Sequence, residues 1–179
     1  IFIFDYRGYG QSEGTPSEEG TYRDGEAAIR YLQQHYGVAA KDLIIFGRSL
    51  GASVAAEIAT RFESLAVILE SPFVSVQEMA RAILPTLPLG SLTSTRYATM
   101  EKVRRIKAPL LVLHGDRDEI VPFSQGQKVF AAAPAPKMFY TIAGAGHNDT
   151  YLTGGDAYFQ AWKQHIERAR TQRKPVPVS

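Results

Sequence analysis

Ser49 stands between Gly47 and Gly51 in a G-x-S-x-G motif. The apolar run at residues 43–46 predicts a buried strand before it, and the small residues of segment 50–62 predict a helix packed close to a sheet. A strand that turns sharply into a helix strains the middle residue of the turn. The motif positions two residues before and after it, here Gly47 and Gly51, therefore need almost no side chain. The hydroxyl would then project beside the first helix amides and the positive end of the helix dipole. The motif therefore predicts a nucleophile, with a serine that only caps a helix as the alternative.

A serine nucleophile needs a base, which is usually a histidine held in one tautomer by a carboxylate. Of the four histidines, His35 and His165 fall in helical patterns, where solvated helix surface explains both. His114 ends an apolar run, and hydrogen bonding to loop backbone explains it. His147 follows the last predicted strand in a glycine-containing loop, which leaves it free to project toward Ser49. We predict His147 as the base, with a structural loop role as the alternative.

Three carboxylates follow predicted strands and compete for the role of the acid. Asp116 and Asp118 follow the apolar run at residues 110–113, and Glu70 follows the run at residues 66–69. Asp116 lies in a Gly-Asp turn, where it is well placed to bond its own backbone. Asp118 lies further along the loop and can reach outward, so we favour it over Glu70 and Asp116.

Apolar runs and helical patterns alternate along most of the chain. The runs predict buried parallel strands at residues 1–4, 43–46, 66–69, 110–113 and 138–142. Helical patterns occupy about residues 19–36, 50–62, 123–132 and 156–169, and the last of them carries its apolar face at Phe159, Trp162 and Ile166. We therefore predict the α/β class, a mostly parallel sheet with helices on both faces. Ligands of such sheets bind beyond the carboxyl ends of the strands, where the candidate residues lie.

The alternation breaks down at about residues 74–107, where two prolines and a glycine interrupt a helical pattern. We predict a short helical lid insertion there. Phe73, Ile83 and Leu87 would line an acyl pocket beneath it, or they would simply cover the sheet. Arg48, beside the nucleophile, would bind an anionic acyl or head group, or it would face away and form a surface salt bridge.

Length and composition narrow the function classes. The 179 residues suit one domain, with a core over residues 1–171 and a disordered tail at residues 172–179. No apolar run approaches the ~20 residues of a membrane helix, and a net charge of +2 gives no reason to expect nucleic acid. The chain has no cysteine, which excludes a thiolate nucleophile or metal site. We expect no metal and no organic cofactor.

Five phrases of the sequence together resemble the α/β-hydrolase superfamily: DYRGYGQSEGTPSEEG, GRSLGASVAAEIA, LESPFVSVQEMA, LLVLHGDRDEIVPFSQG and GAGHNDTY. The branch is that of short-lidded serine hydrolases often found behind an N-terminal membrane anchor, related to serine aminopeptidases and monoacylglycerol lipases. The resemblance covers nearly the whole chain up to the last helix. It implies Ser49 as nucleophile, Asp118 as acid, His147 as base and the Leu50 amide as one oxyanion donor. The chain order serine, aspartate, histidine also fits this superfamily.

The resemblance implies a serine hydrolase of carboxylic esters or thioesters that forms an acyl-enzyme on a small-molecule or lipid-like substrate. An aminopeptidase or amidase of the same fold and a non-catalytic binding scaffold are the alternatives, since one scaffold hosts many functions. In the family, several strands and a His-Gly loop that donates a second oxyanion amide precede DYRGYG. We expect an incomplete fold lacking those first strands, in which residues 1–4 do not neighbour residues 43–46. Membrane association would depend on an absent N-terminal segment. The sequence does not indicate the compartment, and for a full-length parent we expect a cytoplasmic or membrane-associated protein.

Overall fold

The computed structural model describes residues 1–83 and 95–173, in which four parallel strands form one sheet. The strands, which are neighbours in the order of the chain, are β1 (Ile44–Arg48), β2 (Ala66–Glu70), β3 (Leu110–Gly115) and β4 (Lys137–Ile142). The helices are α1 (Glu18–Tyr36), α2 (Leu50–Arg61), α3 (Val76–Ile83), α4 (Thr99–Val103), α5 (Phe123–Ala132) and α6 (Thr150–Gln172). Every strand pair is parallel, so each connection crosses back over the sheet and carries a helix.

Helices cover both faces of the sheet. Alternate strand residues, among them Ile45, Val67 and Val112, pack in one cluster with residues of α1, α2 and α5. Residues of the opposite face, among them Ile68 and Leu111, pack against α6. Strands β2 and β3 are buried along their whole length, as apolar runs in a doubly covered sheet should be. The predicted fold class is confirmed.

The prediction of a strand at residues 1–4 is wrong. The segment is irregular, and its Ile1 and Ile3 side chains are exposed. A strand needs a neighbouring backbone to pair with, and in the described residues β1 pairs with β2 alone. The segment instead lies against α1, where the Phe2 ring stacks on Tyr31 with 5.7 Å between centroids. As expected, it does not pair with the strand that precedes Ser49.

Helix α6 differs from its predicted form in length and in its buried face. It begins at Thr150 and continues through a kink at Gly155, whose φ is 49°. The buried residues of its central and last turns are Tyr158, Ala161, His165 and Ala169, whereas Phe159 is exposed. His165 is therefore not a surface residue: its Nε2 lies 3.2 Å from the Pro109 carbonyl oxygen. Burial lowers the pKa of His165, although its hydrogen bonds to backbone carbonyls oppose this shift.

The predicted lid is described in part. Helices α3 and α4 flank residues 84–94. This segment, which includes Leu87, lies outside the described ranges, as do residues 174–179. For Ile83 only the backbone is described, at the end of α3. The lid and the pocket beneath it therefore remain predictions. The disordered tail also remains one beyond Arg173, but its predicted start is wrong, because Gln172 is the last residue of α6. No helix in the described ranges is both long and apolar enough to cross a membrane.

Candidate active site

Ser49 occupies the turn between β1 and α2 with φ 53° and ψ −118°, a conformation that strains any residue with a side chain. A Cβ added to Gly47 would lie 2.0 Å from the Gly51 carbonyl oxygen, so this position must be glycine. At Gly51 a Cβ would meet only the Tyr6 hydroxyl, at 3.6 Å, which is an ordinary contact, so the close approach that requires glycine lies at Gly47. The Ser49 amide donates to the Glu70 carbonyl oxygen at 2.9 Å and ties the turn to β2.

The Ser49 side chain does not cap α2, because it makes no capping hydrogen bond to the amides of that helix. Leu50 is the first residue of α2. The first amides of a helix have no carbonyl partner within it, and they carry the positive end of its dipole. The Leu50 amide therefore lies beside the serine as a candidate donor to an oxyanion, and this role remains a prediction.

Asp118 and His147 meet across the loops that follow the neighbouring strands β3 and β4. The distance from His147 Nδ1 to Asp118 Oδ2 is 2.8 Å, and both side chains are buried. Asp118 Oδ1 also accepts the amides of Ile120 at 3.0 Å and Val121 at 2.7 Å. These bonds fix the carboxylate in its own loop while the other oxygen faces the imidazole.

Charge on Asp118 determines the tautomer of His147. Burial alone would raise the pKa of Asp118, but hydrogen bonds from His114, His147 and the Val121 amide outweigh it and hold the pKa well below its usual range. An ionised carboxylate can only accept hydrogen bonds, so His147 Nδ1 must donate. Nε2 of a neutral His147 is then left with a lone pair that can accept a proton.

Ser49 and His147 do not contact each other through a hydrogen bond in the described structure. Of the three residues that the sequence predicts to converge, Asp118 and His147 are in contact, and a hydrogen bond from Ser49 to His147 is not formed in the described structure. Hydrogen bonds between a nucleophile and its base are often long or misaligned without substrate and tighten only in the complex. The role of all three residues as one triad remains a proposal.

The two alternative acids have other partners. Asp116 Oδ1 accepts the amide of Gly144 at 2.7 Å, so it joins the β3 and β4 loops rather than bonding its own turn. Glu70 accepts hydrogen bonds from the hydroxyls of Thr150 at 2.6 Å and Tyr158 at 2.5 Å. Neither carboxylate contacts the His147 ring in the described ranges, and the choice of Asp118 agrees with the geometry.

His114 contacts the acid as well as loop backbone. Its Nε2 lies 2.9 Å from the Val121 carbonyl oxygen, which is the backbone contact that the sequence predicts. The same nitrogen lies 3.3 Å from Asp118 Oδ2, a contact that sequence reasoning missed. The sequence feature that could have indicated this contact is the four-residue spacing of His114 and Asp118, which lie at the end of β3 and in the loop after it. Asp118 therefore lies between two imidazole rings.

Of the four predicted substrate-binding residues, two have described side chains. Arg48 Nη2 donates to the His147 carbonyl oxygen and, at 2.8 Å, to Asn148 Oδ1, while its Nε lies 3.3 Å from Glu70 Oε1. Arg48 therefore forms a salt bridge, but with a buried carboxylate and on the side of the His147 loop, so the predicted surface salt bridge facing away is wrong. Its role in binding an anionic group stays a prediction. Phe73 is buried in the cluster that fills one face of the sheet, which favours the covering role for this residue.

Two features complete the surroundings of the base. Glu119 Oε2 accepts the amide of His147 at 3.1 Å, a contact that no sequence pattern indicates. The described ranges contain no group of three or more His, Asp or Glu side chains that could hold a metal ion.

Comparison with known proteins identifies the family. Residues 15–148 match the prolyl oligopeptidase family. An uncharacterized protein of Mycobacterium tuberculosis is 37% identical over 166 residues, covering 93% of this chain and 59% of that protein. Human alpha/beta hydrolase domain-containing protein 17B is 36% identical over 168 residues, covering 94% of this chain and 56% of that protein. The chain thus spans less than two thirds of the length of these relatives.

Solved structures share the fold. The esterase Pf2001 of Pyrococcus furiosus is similar with a TM-score of 0.74 and 21% identity, over 92% of this chain and 68% of that one. A monoacylglycerol lipase of Paleococcus ferrophilus has a TM-score of 0.67 at 19% identity, over 92% of this chain and 82% of that one. Together with the family match, these similarities establish that the chain belongs to the prolyl oligopeptidase family, within the α/β-hydrolase superfamily.

Proposed function

We propose that this chain carries the catalytic residues of a serine hydrolase that cleaves carboxylic esters or thioesters through an acyl-enzyme. The observation that carries the proposal is the buried 2.8 Å contact between His147 Nδ1 and Asp118 at the strand ends where Ser49 also lies. Membership in the prolyl oligopeptidase family, and the fold shared with a solved esterase, support a hydrolase. The ester or thioester substrate and the triad belong to the proposal.

The first half of the reaction acylates the serine. Ser49 Oγ attacks the acyl carbonyl carbon while its proton passes to Nε2 of His147, and the carbonyl oxygen becomes an oxyanion beside the Leu50 amide. Asp118 stays ionised and stabilises the imidazolium that forms. The tetrahedral intermediate then collapses, and the leaving alcohol or thiol takes the proton from His147 Nε2.

The second half restores the enzyme. A water molecule gives its proton to His147 Nε2 as its oxygen attacks the acyl carbon, which forms a second oxyanion at the same place. Collapse of this intermediate breaks the bond to Ser49 Oγ, which regains the proton from His147. The products are one carboxylic acid and one alcohol or thiol, so no oxidant, reductant or metal enters the balance.

An aminopeptidase or amidase is the second candidate, and the match to the prolyl oligopeptidase family favours it. An amine is a poorer leaving group than an alkoxide or a thiolate, so its nitrogen must receive the proton of His147 before the bond breaks. A set of substrates with one acyl group and an ester, thioester or amide link separates the two candidates. A larger kcat/KM for the ester and thioester supports our proposal, and a larger value for the amide supports the second candidate.

Covalent labelling of the intact protein with a fluorophosphonate probe tests the nucleophile. The probe should label the wild type, and Ser49→Ala should abolish labelling without a large change in melting temperature. Ser124, exposed on α5, supplies the matched control, and Ser124→Ala should label like the wild type. Retained labelling in the Ser49→Ala variant would exclude Ser49. A wild type that neither labels nor hydrolyses any member of the substrate set would favour the binding scaffold.

A further inference from the structure

We propose that Arg48 and Glu70 are positioning residues that hold the backbone of His147 at a fixed place relative to Ser49. This inference rests on the proposed function, because it concerns the alignment of the proposed base and nucleophile. We refer to the ion pair of Arg48 and Glu70, with its hydrogen bonds to the His147 loop and to α6, as the Arg48–Glu70 clamp. Neither side chain has a part in the reaction steps given above.

Strand register brings the two residues together. Arg48 and Glu70 are the last residues of β1 and β2, and they are register partners in the parallel ladder. Register partners on adjacent strands project to the same face of a sheet. Arg48 Nε consequently lies 3.3 Å from Glu70 Oε1, directly beside the turn that carries Ser49.

Glu70 is a fixed point, because its carboxylate is 2% exposed and fully partnered. Thr150, at the start of α6, donates to Oε1 at 2.6 Å, and Tyr158 donates to Oε2 at 2.5 Å. Hydrogen bonds to an ionised acceptor are stronger than neutral ones, and a buried carboxylate without partners is strongly disfavoured. The clamp is therefore attached to β2 through the chain and to α6 through these two hydroxyls.

Arg48 extends from this fixed point to the base. Its Nη2 donates to the backbone carbonyl oxygen of His147 and to the side chain of Asn148. Arg48 is also bonded covalently to Ser49. One residue thus adjoins the proposed nucleophile through its peptide bond and the proposed base through its guanidinium.

His147 is consequently held at three points. Asp118 holds Nδ1 of its ring, Glu119 accepts its backbone amide, and Arg48 donates to its backbone carbonyl. With the ring and the backbone both fixed, the place of Nε2 relative to Ser49 Oγ depends on the geometry of the clamp. A misplacement of about 1 Å at a catalytic group can lower the rate about 10²-fold, so the clamp should affect kcat more than substrate binding.

Three variants of the intact protein test the clamp. Arg48→Met removes the guanidinium and should lower kcat and the rate of fluorophosphonate labelling about 10- to 100-fold with little change in KM. Arg48→Lys keeps the charge but loses the planar set of donors, so it should restore only part of that loss. Glu70→Gln keeps the size of the side chain, and its amide oxygen can accept from one hydroxyl while its amide nitrogen donates to the other, but the ion pair is removed. It should lower kcat less than Arg48→Met.

A double variant and a matched control separate positioning from stability. Arg48→Met and Glu70→Gln remove parts of the same connected set of contacts. The fold-decrease in kcat of the double variant should therefore be smaller than the product of the two separate fold-decreases. Arg61 has similar exposure and pairs with Glu57 at 3.0 Å and Glu26 at 3.2 Å on the outer surface of α2. Arg61→Met should lower the melting temperature and leave kcat and KM at the wild-type values.

The outcomes distinguish this inference from the function on which it rests. If the wild type is labelled and turns over substrate, and folded Arg48→Met has the wild-type kcat, the clamp is refuted and the triad is not. If Arg48→Met does not fold, a wild-type kcat in Arg48→Lys and Glu70→Gln refutes the clamp. A higher KM with an unchanged kcat in the Arg48 variants would refute it too, since this result indicates that Arg48 binds substrate. A wild type without labelling or turnover overturns the proposed function and the clamp together.

Discussion

Gly47→Ala and Gly51→Ala add the same methyl group to the two glycines beside Ser49, and the structure predicts opposite effects on stability. A Cβ at Gly47 would lie 2.0 Å from the carbonyl oxygen of Gly51 and 2.7 Å from the Cβ of Ala55. Both atoms belong to α2, and one of them is backbone, so α2 must move away from β1. At Gly51 the nearest atom, the Tyr6 hydroxyl, is 3.6 Å away, which is an ordinary contact.

The magnitudes follow from these contacts. Added atoms in a packed interior destabilise proteins by about 1 to 3 kcal/mol, and a backbone clash places Gly47→Ala near the upper value. For a chain of this size, the whole range of about 1 to 3 kcal/mol corresponds to a fall in melting temperature of roughly 2 to 12 °C, and we expect Gly47→Ala in the upper part of it. Alanine in a helix is roughly 0.5 to 1 kcal/mol more stable than glycine, so Gly51→Ala should raise the melting temperature by about 1 to 4 °C.

Thermal unfolding followed by circular dichroism measures both shifts, and fluorophosphonate labelling of the same samples reports on Ser49. Gly47→Ala should lose labelling even at temperatures where it is folded, because the turn that strains Ser49 can no longer close. Equal melting temperatures for the two variants, or a larger loss for Gly51→Ala, would contradict the assignment of the close approach to Gly47 alone.

Two further predictions concern acid stability and the lid. Burial lowers the pKa of His165, so the unfolded chain binds a proton at higher pH than the folded one, and stability should fall as pH drops below about 6.5. In urea unfolding, His165→Gln should lose less stability than the wild type between about pH 7 and pH 5, and equal losses would contradict this account. Ile83→Ala or Leu87→Ala should change the preference for acyl-chain length in a series of esters if the lid lines the pocket. An unchanged preference would mean that these residues only cover the sheet.

The sequence predicts the sheet and the acid–base pair because both depend on local patterns. Four apolar runs, at residues 43–46, 66–69, 110–113 and 138–142, become the four strands with shifts of one or two residues at their ends. Polar residues directly after such runs must lie at one edge of a parallel sheet. The rule brings Asp118 and His147 together without any knowledge of their distance.

The errors arise where the outcome depends on a partner that the pattern does not contain. Residues 1–4 have the composition of a strand, but none of the four described strands pairs with them. On α6 the large Phe159 suggests one face, yet the face that packs against the sheet has the small Ala161, which permits a close approach, and His165, whose ring reaches a carbonyl. The contact of Arg48 with His147 spans 99 positions, so no local spacing indicates it.

The spatial order of the strands repeats the order of the chain, with the serine after β1, the aspartate after β3 and the histidine after β4. A ribosome delivers the proposed nucleophile before the proposed base, and chains tend to fold as they emerge. If the proposed triad is right, a partly synthesised chain holds a serine hydroxyl at its ordinary, low reactivity, because the groups that would activate it have not yet been made. Covalent labelling should then count only molecules whose sheet has been assembled as far as β4, and it should measure the completion of folding as well as the chemistry.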